Sequence, residues 1–151
     1  GSQILFNGPD KKDEDLIKAV DNDSLIHIDH FDEMYSILAL SETLGKKPKV
    51  AIRVNMDTGV YPIWDSFGFN YENGDAWDAI NRIMINEKLE LVGLHTHIGT
   101  YMMTASAYKI AAGKLADLVI LAADPHDTIT DQIKNIPVLR TIVDGKTVYK
   151  A

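Results

Sequence analysis

The sequence contains no cysteine. That excludes a disulfide framework, a thiolate nucleophile and any zinc site built on sulfur. No apolar run approaches the roughly 20 residues that span a bilayer. No charged-then-apolar leader opens the chain, and its first pair, Gly1-Ser2, reads as a cloning scar. Positive charge is scarce: 15 Lys and Arg against 22 Asp and Glu leave a net charge of -7. Such a surface repels nucleic acid and anionic membranes, so neither is an expected partner. Internal repeats and low-complexity tracts are missing too. A chain without cysteine suits any compartment, and cytoplasmic is the default expectation. What is present is a hydrophobic content of 46% in 151 residues, enough for one core-forming domain with or without an appendage.

The first hundred or so residues alternate short apolar runs with helical patterns. Ile4-Leu5-Phe6 reads as a strand stopped by Asn7-Gly8-Pro9. A helix with Leu16, Ile17 and Val20 on one face follows, with Asp13 as its expected cap. Leu25-Ile26-His27-Ile28 is the second strand. Asp29 then caps a helix carrying Phe31, Met34, Ile37, Leu38 and Leu44 at helical spacing. Val50 to Val54 is the third strand. A helix capped by Asp75 buries Ala76, Trp77, Ile80, Ile83 and Met84. Leu89 to His97 is the fourth strand, and Thr104 opens a helix through Tyr108 and Ala111.

Repeated strand–helix alternation predicts parallel strands joined by right-handed helical crossovers. The last forty residues differ. Asp117 to Ala122 is an apolar run ended by Asp124-Pro125. Thr141-Ile142-Val143, Asp144-Gly145 and Lys146-Thr147-Val148-Tyr149 form a hairpin signal, since Asp-Gly turns match strand twist. The expected fold class is α/β: a partial (half) TIM-type βα barrel with four parallel strands over residues 1–112, and an antiparallel β strand and hairpin over residues 113–151. An open flavodoxin-like α/β sheet shares the same local connectivity.

Between Asn55 and about Gly74 runs a long connection holding Tyr61, Trp64, Phe67, Phe69 and Tyr71. Connections beyond about 12–15 residues are usually functional or disordered. This aromatic density predicts packing, either as a stapled surface loop or as a lid.

Ligands of parallel α/β proteins sit beyond the carboxyl ends of the strands. His97, Gly99 and Thr100 fall there. Gly99 would let the backbone approach a phosphate, Thr100 offers a hydroxyl and an amide N–H, and the flat ring of His97 suits stacking on a heterocycle. His95 lies two residues before His97, so period-2 alternation puts both imidazoles on one strand face. Two chemistries use that geometry: ring stacking with phosphate binding, and metal ligation by a His-x-His pair. A third option is two histidines that only hydrogen-bond at a strand end. Arg53, inside an apolar strand, must be paired or face a polar interior.

The run Leu91-Val92-Gly93-Leu94-His95-Thr96-His97-Ile98-Gly99-Thr100 resembles the alanine-racemase-like barrel decarboxylases, diaminopimelate decarboxylase and its ornithine/arginine relatives above all. Further pieces match in the same order: Ile4 to Pro9 with Lys12 and Glu14-Asp15-Leu16, Leu25 to Asp29, Val50 to Asn55, and Phe67-Gly68-Phe69. The resemblance covers residues 3–112 and implies a pyridoxal phosphate cofactor. It implies that His97 stacks on the cofactor ring, that Gly99 and Thr100 lie near its phosphate, and that Arg53 lies beneath it. Where the family usually has a basic residue before Phe-Gly, Asp65-Ser66 stand here. The family's Schiff-base lysine, glycine-rich phosphate loop, acidic partner of the ring nitrogen and catalytic cysteine region match no stretch of the chain. Weak or absent cofactor binding, no bound cofactor and no decarboxylase turnover are therefore expected.

Residues 113–151, from Gly113-Lys114-Leu115-Ala116 through Ile136-Pro137-Val138 to Tyr149, resemble the C-terminal end of the amidohydrolases, which implies a chimera. Three functional readings follow. One is a decarboxylase-derived half-barrel with a vestigial phosphate and ring site and no catalysis of its own. Another is a metal-dependent hydrolase using His95 and His97, with His27, His30 or His126 as further ligands. The last is a self-associating module, because a half-barrel has two open edges and an uncovered interior. A homodimer is expected.

Overall fold

The structure, a computed structural model, describes residues 3–116, 118–121, 138–143 and 146–150. The chain runs β1 (Leu5–Phe6), α1 (Asp13–Asp21), β2 (Leu25–Ile28), α2 (Phe31–Leu44), β3 (Lys49–Asn55), β4 (Phe69–Asn70), α3 (Asp75–Asn86), β5 (Glu90–His95), α4 (Ala105–Ala116), β6 (Leu118–Leu121), β7 (Val138–Val143) and β8 (Lys146–Lys150). Strands β1, β2, β3 and β5 are parallel neighbours in that order. The two-residue β4 adds to the end of β3, with Val54 beside Phe69 and Asn55 beside Asn70. This is the parallel α/β sheet of a partial βα barrel. Strands β6, β7 and β8 form a separate antiparallel sheet. The Asp144-Gly145 turn lies outside the described residues.

One face of the parallel sheet carries the core. Ile26, Ile28, Val50, Ile52 and Val54 are buried there against Leu16, Val20, Met34, Ile37, Ile80 and Ile83 of the helices. The apolar positions of α1 and α3 recur at helical spacing, so each helix lays one stripe on the strands. The other face would line a barrel. By the period of two it holds Leu5, Leu25, His27, Ala51, Arg53, Gly93 and His95. Among the described residues β1 pairs only with β2, and Leu5 (63% exposed) and Ile4 (56% exposed) are uncovered.

Several local expectations are corrected. Helix α2 is capped by His30, whose Nδ1 accepts from the Glu33 N–H at 3.2 Å. Asp29 stays in the strand end, where a buried cation claims its carboxylate. Asp13 is the first residue of α1, after an N-cap Lys12 without a side-chain bond. Gly74, not Asp75, caps α3, and its φ of 94° explains why glycine serves there. The long connection contains β4. Strand β5 ends at His95, so His97 lies beyond it. Helix α4 continues unbroken to Ala116, through the expected junction at residues 112/113.

Candidate functional site

The carboxyl ends of β2, β3 and β5 meet around one buried ion pair. Arg53 reaches Asp29 with Nη1 at 2.9 Å from Oδ1, and their side chains are 9% and 4% exposed. An arginine cannot shed its proton, so its burial requires such an anion. Asp29 is itself held from two sides. Its N–H donates to Glu33 Oε2 at 2.7 Å, and its Oδ2 accepts from the Gly68 N–H at 3.3 Å. Glu33 pairs in turn with Lys11. Lys11 Nζ also donates to the carbonyls of Gly8 and His27. Lys11 Nζ is thus enclosed between two carbonyls and a carboxylate at the strand ends. The two cations and two anions cancel, and the strand ends are close to neutral.

The aromatic connection packs across this point. Phe67 lies under the Arg53 guanidinium at 5.1 Å. Gly68 sits so close to β3 that a Cβ would fall 2.7 Å from the Arg53 carbonyl oxygen, at a φ of 85°. Asn55 latches the connection: its amide donates to the Phe67 and Gly68 carbonyls at 2.9 Å each, and its Oδ1 accepts from Asn70. Trp64 meets His97 edge-on at 6.1 Å, and Tyr61 shares a 2.8 Å hydrogen bond with Thr104. Residues 61 to 68 therefore bridge the Arg53 and His97 sides of the site.

On the barrel face His27 and His95 stack at 4.7 Å. They come from β2 and β5, on either side of β3. Neighbouring strands are about 4.8 Å apart, so the two rings must lean over β3 to touch. The small Ala51, beside both His27 and Gly93, leaves the room. Burial pushes the His27 imidazole below its ordinary value, and the nearby Lys11 ammonium adds to this. His95 is lowered first by burial and then by His27, Arg53 and His97, against a small opposing pull from Asp29. The Nδ1 atoms of both rings are enclosed without a partner among the described residues.

The sequence placed His97, Gly99 and Thr100 beyond a strand's carboxyl end and Arg53 inside a strand; in the structure the first three follow the end of β5, with His97 and Thr100 exposed, and Arg53 lies within β3. Gly99 has a different reason to be glycine than expected. Its φ is 140°, and a Cβ would meet Met102 Sδ at 3.0 Å. His95 does not pair with His97 as a strand-face couple; its ring partner is His27, while His97 meets Trp64. His30 is spent as a helix cap, and His126 lies outside the described residues. Among the described residues no group of three or more His, Cys, Asp or Glu side chains is placed to hold a metal ion. No helix among them is long and apolar enough to cross a membrane. Sequence reading missed Lys11, favouring its exposed neighbour Lys12, and also missed Glu33 and the role of Asp29. The usable signal was the pair of carboxylates, Asp29 and Glu33, four residues apart across a helix start.

The family described as pyridoxal-dependent decarboxylase, pyridoxal binding domain, matches residues 1–125. The diaminopimelate decarboxylase of Actinosynnema pretiosum subsp. auranticum is 32% identical over 127 residues, covering 78% of this chain and 28% of that protein. Its counterpart from Methanocaldococcus jannaschii is 29% identical over 129 residues, covering 78% of this chain and 29% of that protein. A crystal structure of the latter enzyme superposes with a TM-score of 0.69 at 27% identity, over 76% of this chain and 28% of that one. An alanine racemase of Clostridium difficile 630 superposes with a TM-score of 0.53 at 22% identity, a likeness of fold. The chain spans less than a third of the length of these relatives. The family match runs past residue 112 and takes in all of α4 and β6.

Proposed function

We propose, from the premise that this chain belongs to the pyridoxal-dependent decarboxylase family through its pyridoxal binding domain, that its β2, β3 and β5 ends form one wall of a pyridoxal phosphate cradle. The observation that carries this reading is that Arg53, in register with His95 at the end of β5, is pinned by Asp29, while His97 and Thr100 follow that strand end and are exposed. The donor set fits the group in part. His97 offers a flat face to the ring, Thr100 a hydroxyl and N–H to the phosphate, and Arg53, its charge matched by Asp29, a fixed guanidinium beneath them. Pyridoxal phosphate, when bound, supplies an electron sink for the carbanion that loss of CO2 leaves. Phe67 and Gly68 cover the Arg53 side of the wall. The neutral His27–His95 stack adds no charge below it.

The substrate class inferred from the matched relatives is an amino acid bearing an α-carboxylate, diaminopimelate foremost. The chain by itself is read as binding weakly and not turning over. Lys11, the lysine buried at this end, has a side chain only 1% exposed and enclosed by the Gly8 and His27 carbonyls and the Glu33 carboxylate, which leaves an aldehyde no access to it. The family match to residue 125 and the continuity of α4 weigh against a separate, amidohydrolase-like origin for the whole of residues 113–151. The β1 edge with exposed Ile4 and Leu5 supports self-association as a homodimer, which sedimentation at micromolar concentration tests; a monomer there ends that part of the reading.

The cradle is tested by equilibrium dialysis of pyridoxal phosphate against the chain and its His97→Ala variant. The reading expects weak, reversible binding that falls about tenfold in the variant, the loss of one stacking contact. Equal binding by both proteins would remove His97 from the site.

A further inference from the structure

Four charged side chains form a buried line at the sheet end: Lys11, Glu33, Asp29 and Arg53. The Lys11 and Glu33 side chains are 1% and 3% exposed. Burying ions costs several kcal/mol each, and apolar residues of similar volume are often at least as stabilising. Stability alone is therefore a poor reason for the outer pair. Its geometry gives a better one.

We propose that Lys11 and Glu33 are positioning residues for Arg53. Glu33 uses one oxygen on the Asp29 N–H and the other on Lys11. The first bond fixes the backbone of Asp29 at the end of β2, and with it the direction of the Asp29 carboxylate. Lys11 keeps Glu33 aimed, because its ammonium is itself anchored to the Gly8 and His27 carbonyls. Asp29 then holds the Arg53 guanidinium in one orientation above Phe67. The three elements that supply this line, the β1–α1 turn, the first turn of α2 and the end of β2, are thereby tied to a single side chain of β3. Without the outer pair, Asp29 keeps its Gly68 contact but loses its backbone anchor, and Arg53 gains rotational freedom.

This rests on the reading that Arg53 belongs to the cradle, and the experiment separates the two claims. Arg53 guanidinium protons are followed by nuclear magnetic resonance in the full chain and in a Lys11→Met, Glu33→Leu variant, which removes both charges and the acceptor of the Asp29 N–H. The expected result is slow-rotating, resolved Nη–H signals in the parent that merge in the variant, while dispersed backbone signals show the fold intact. If the double variant fails to fold, Lys11→Met alone is read the same way. Resolved Arg53 signals in a folded variant would overturn the positioning role. Pyridoxal phosphate affinity is measured alongside, with a loss of about tenfold expected in the variant, by analogy with outer-shell residues that orient metal ligands. An Arg53→Ala variant of unchanged affinity would instead sink the cradle reading of Arg53 and leave the positioning result standing.

Discussion

Replacing Asp29 by alanine strands Arg53. The guanidinium is nearly enclosed, with a side chain 9% exposed, and it stays charged at any accessible pH. Removing one partner of a buried ion pair costs about 3–5 kcal/mol, because the other charge is left without compensation. The Gly68 N–H loses its acceptor as well, at about 1 kcal/mol. Whole domains are stable by only about 5–15 kcal/mol, so Asp29→Ala should be largely unfolded in mild urea. Arg53→Met on the same background should recover much of the loss, since it removes the orphaned charge. Urea unfolding followed by circular dichroism, run as a double-mutant cycle, gives the coupling directly, and at least about 2 kcal/mol is expected. The exposed Lys88–Glu42 pair is the control, and Glu42→Ala should leave the midpoint unchanged. A loss below about 1 kcal/mol for Asp29→Ala, or additive single effects, would refute the claim that this pair organises the strand ends.

Three further outcomes follow from local geometry. Gly68→Ala should destabilise by about 2 kcal/mol or more and open residues 61 to 68 to proteolysis, because its Cβ collides with β3 at a positive φ; unchanged proteolysis would show that the connection is not held there. Glu87 ends α3 with a φ of 58°, so Glu87→Gly should raise the thermal midpoint, by about 0.5–1 kcal/mol in stability. Stability should also fall on mild acidification. The folded pKa values of His27 and His95 lie below their unfolded ones. The unfolded chain therefore binds these protons first, and the stabilisation present above about pH 6.5 is lost as pH drops through the folded values. Thermal scans from pH 7.5 to 5.5 should show a steeper decline for the parent than for a His27→Gln, His95→Gln variant, and parallel curves would count against a neutral buried stack.

Much of the architecture was legible because two periods govern it. The continuous apolar runs at Ile26, Ile28 and Val50 to Val54, alternating with helical stripes such as Met34 and Ile37, specify a parallel sheet with crossovers. Strand ends were less legible. β5 stops at His95, before the period-2 argument that coupled His95 to His97 takes effect, and the tertiary neighbour of His95 comes from β2. The caps misled for a related reason. Asp29 has the composition of a helix cap, but the charge of Arg53, 24 residues later in sequence, outcompetes the helix for its carboxylate. Lys11 and Lys12 are adjacent and alike, and only the path of the β1–α1 turn turns one of them inward. The motif Phe67-Gly68 was visible as a resemblance, yet the reason for its glycine, contact with the Arg53 backbone, needed three dimensions.

The central claim is that the carboxyl ends of β2, β3 and β5 form the wall of a pyridoxal phosphate site. Its most direct test is a two-dimensional amide chemical-shift map of the chain titrated with pyridoxal phosphate. Weak, saturable shifts are expected at Arg53, Phe67, Gly68 and His95 to Thr100, with the amino ends of the strands undisturbed. Shifts confined to the opposite end of the sheet, or none at saturating cofactor, would contradict it.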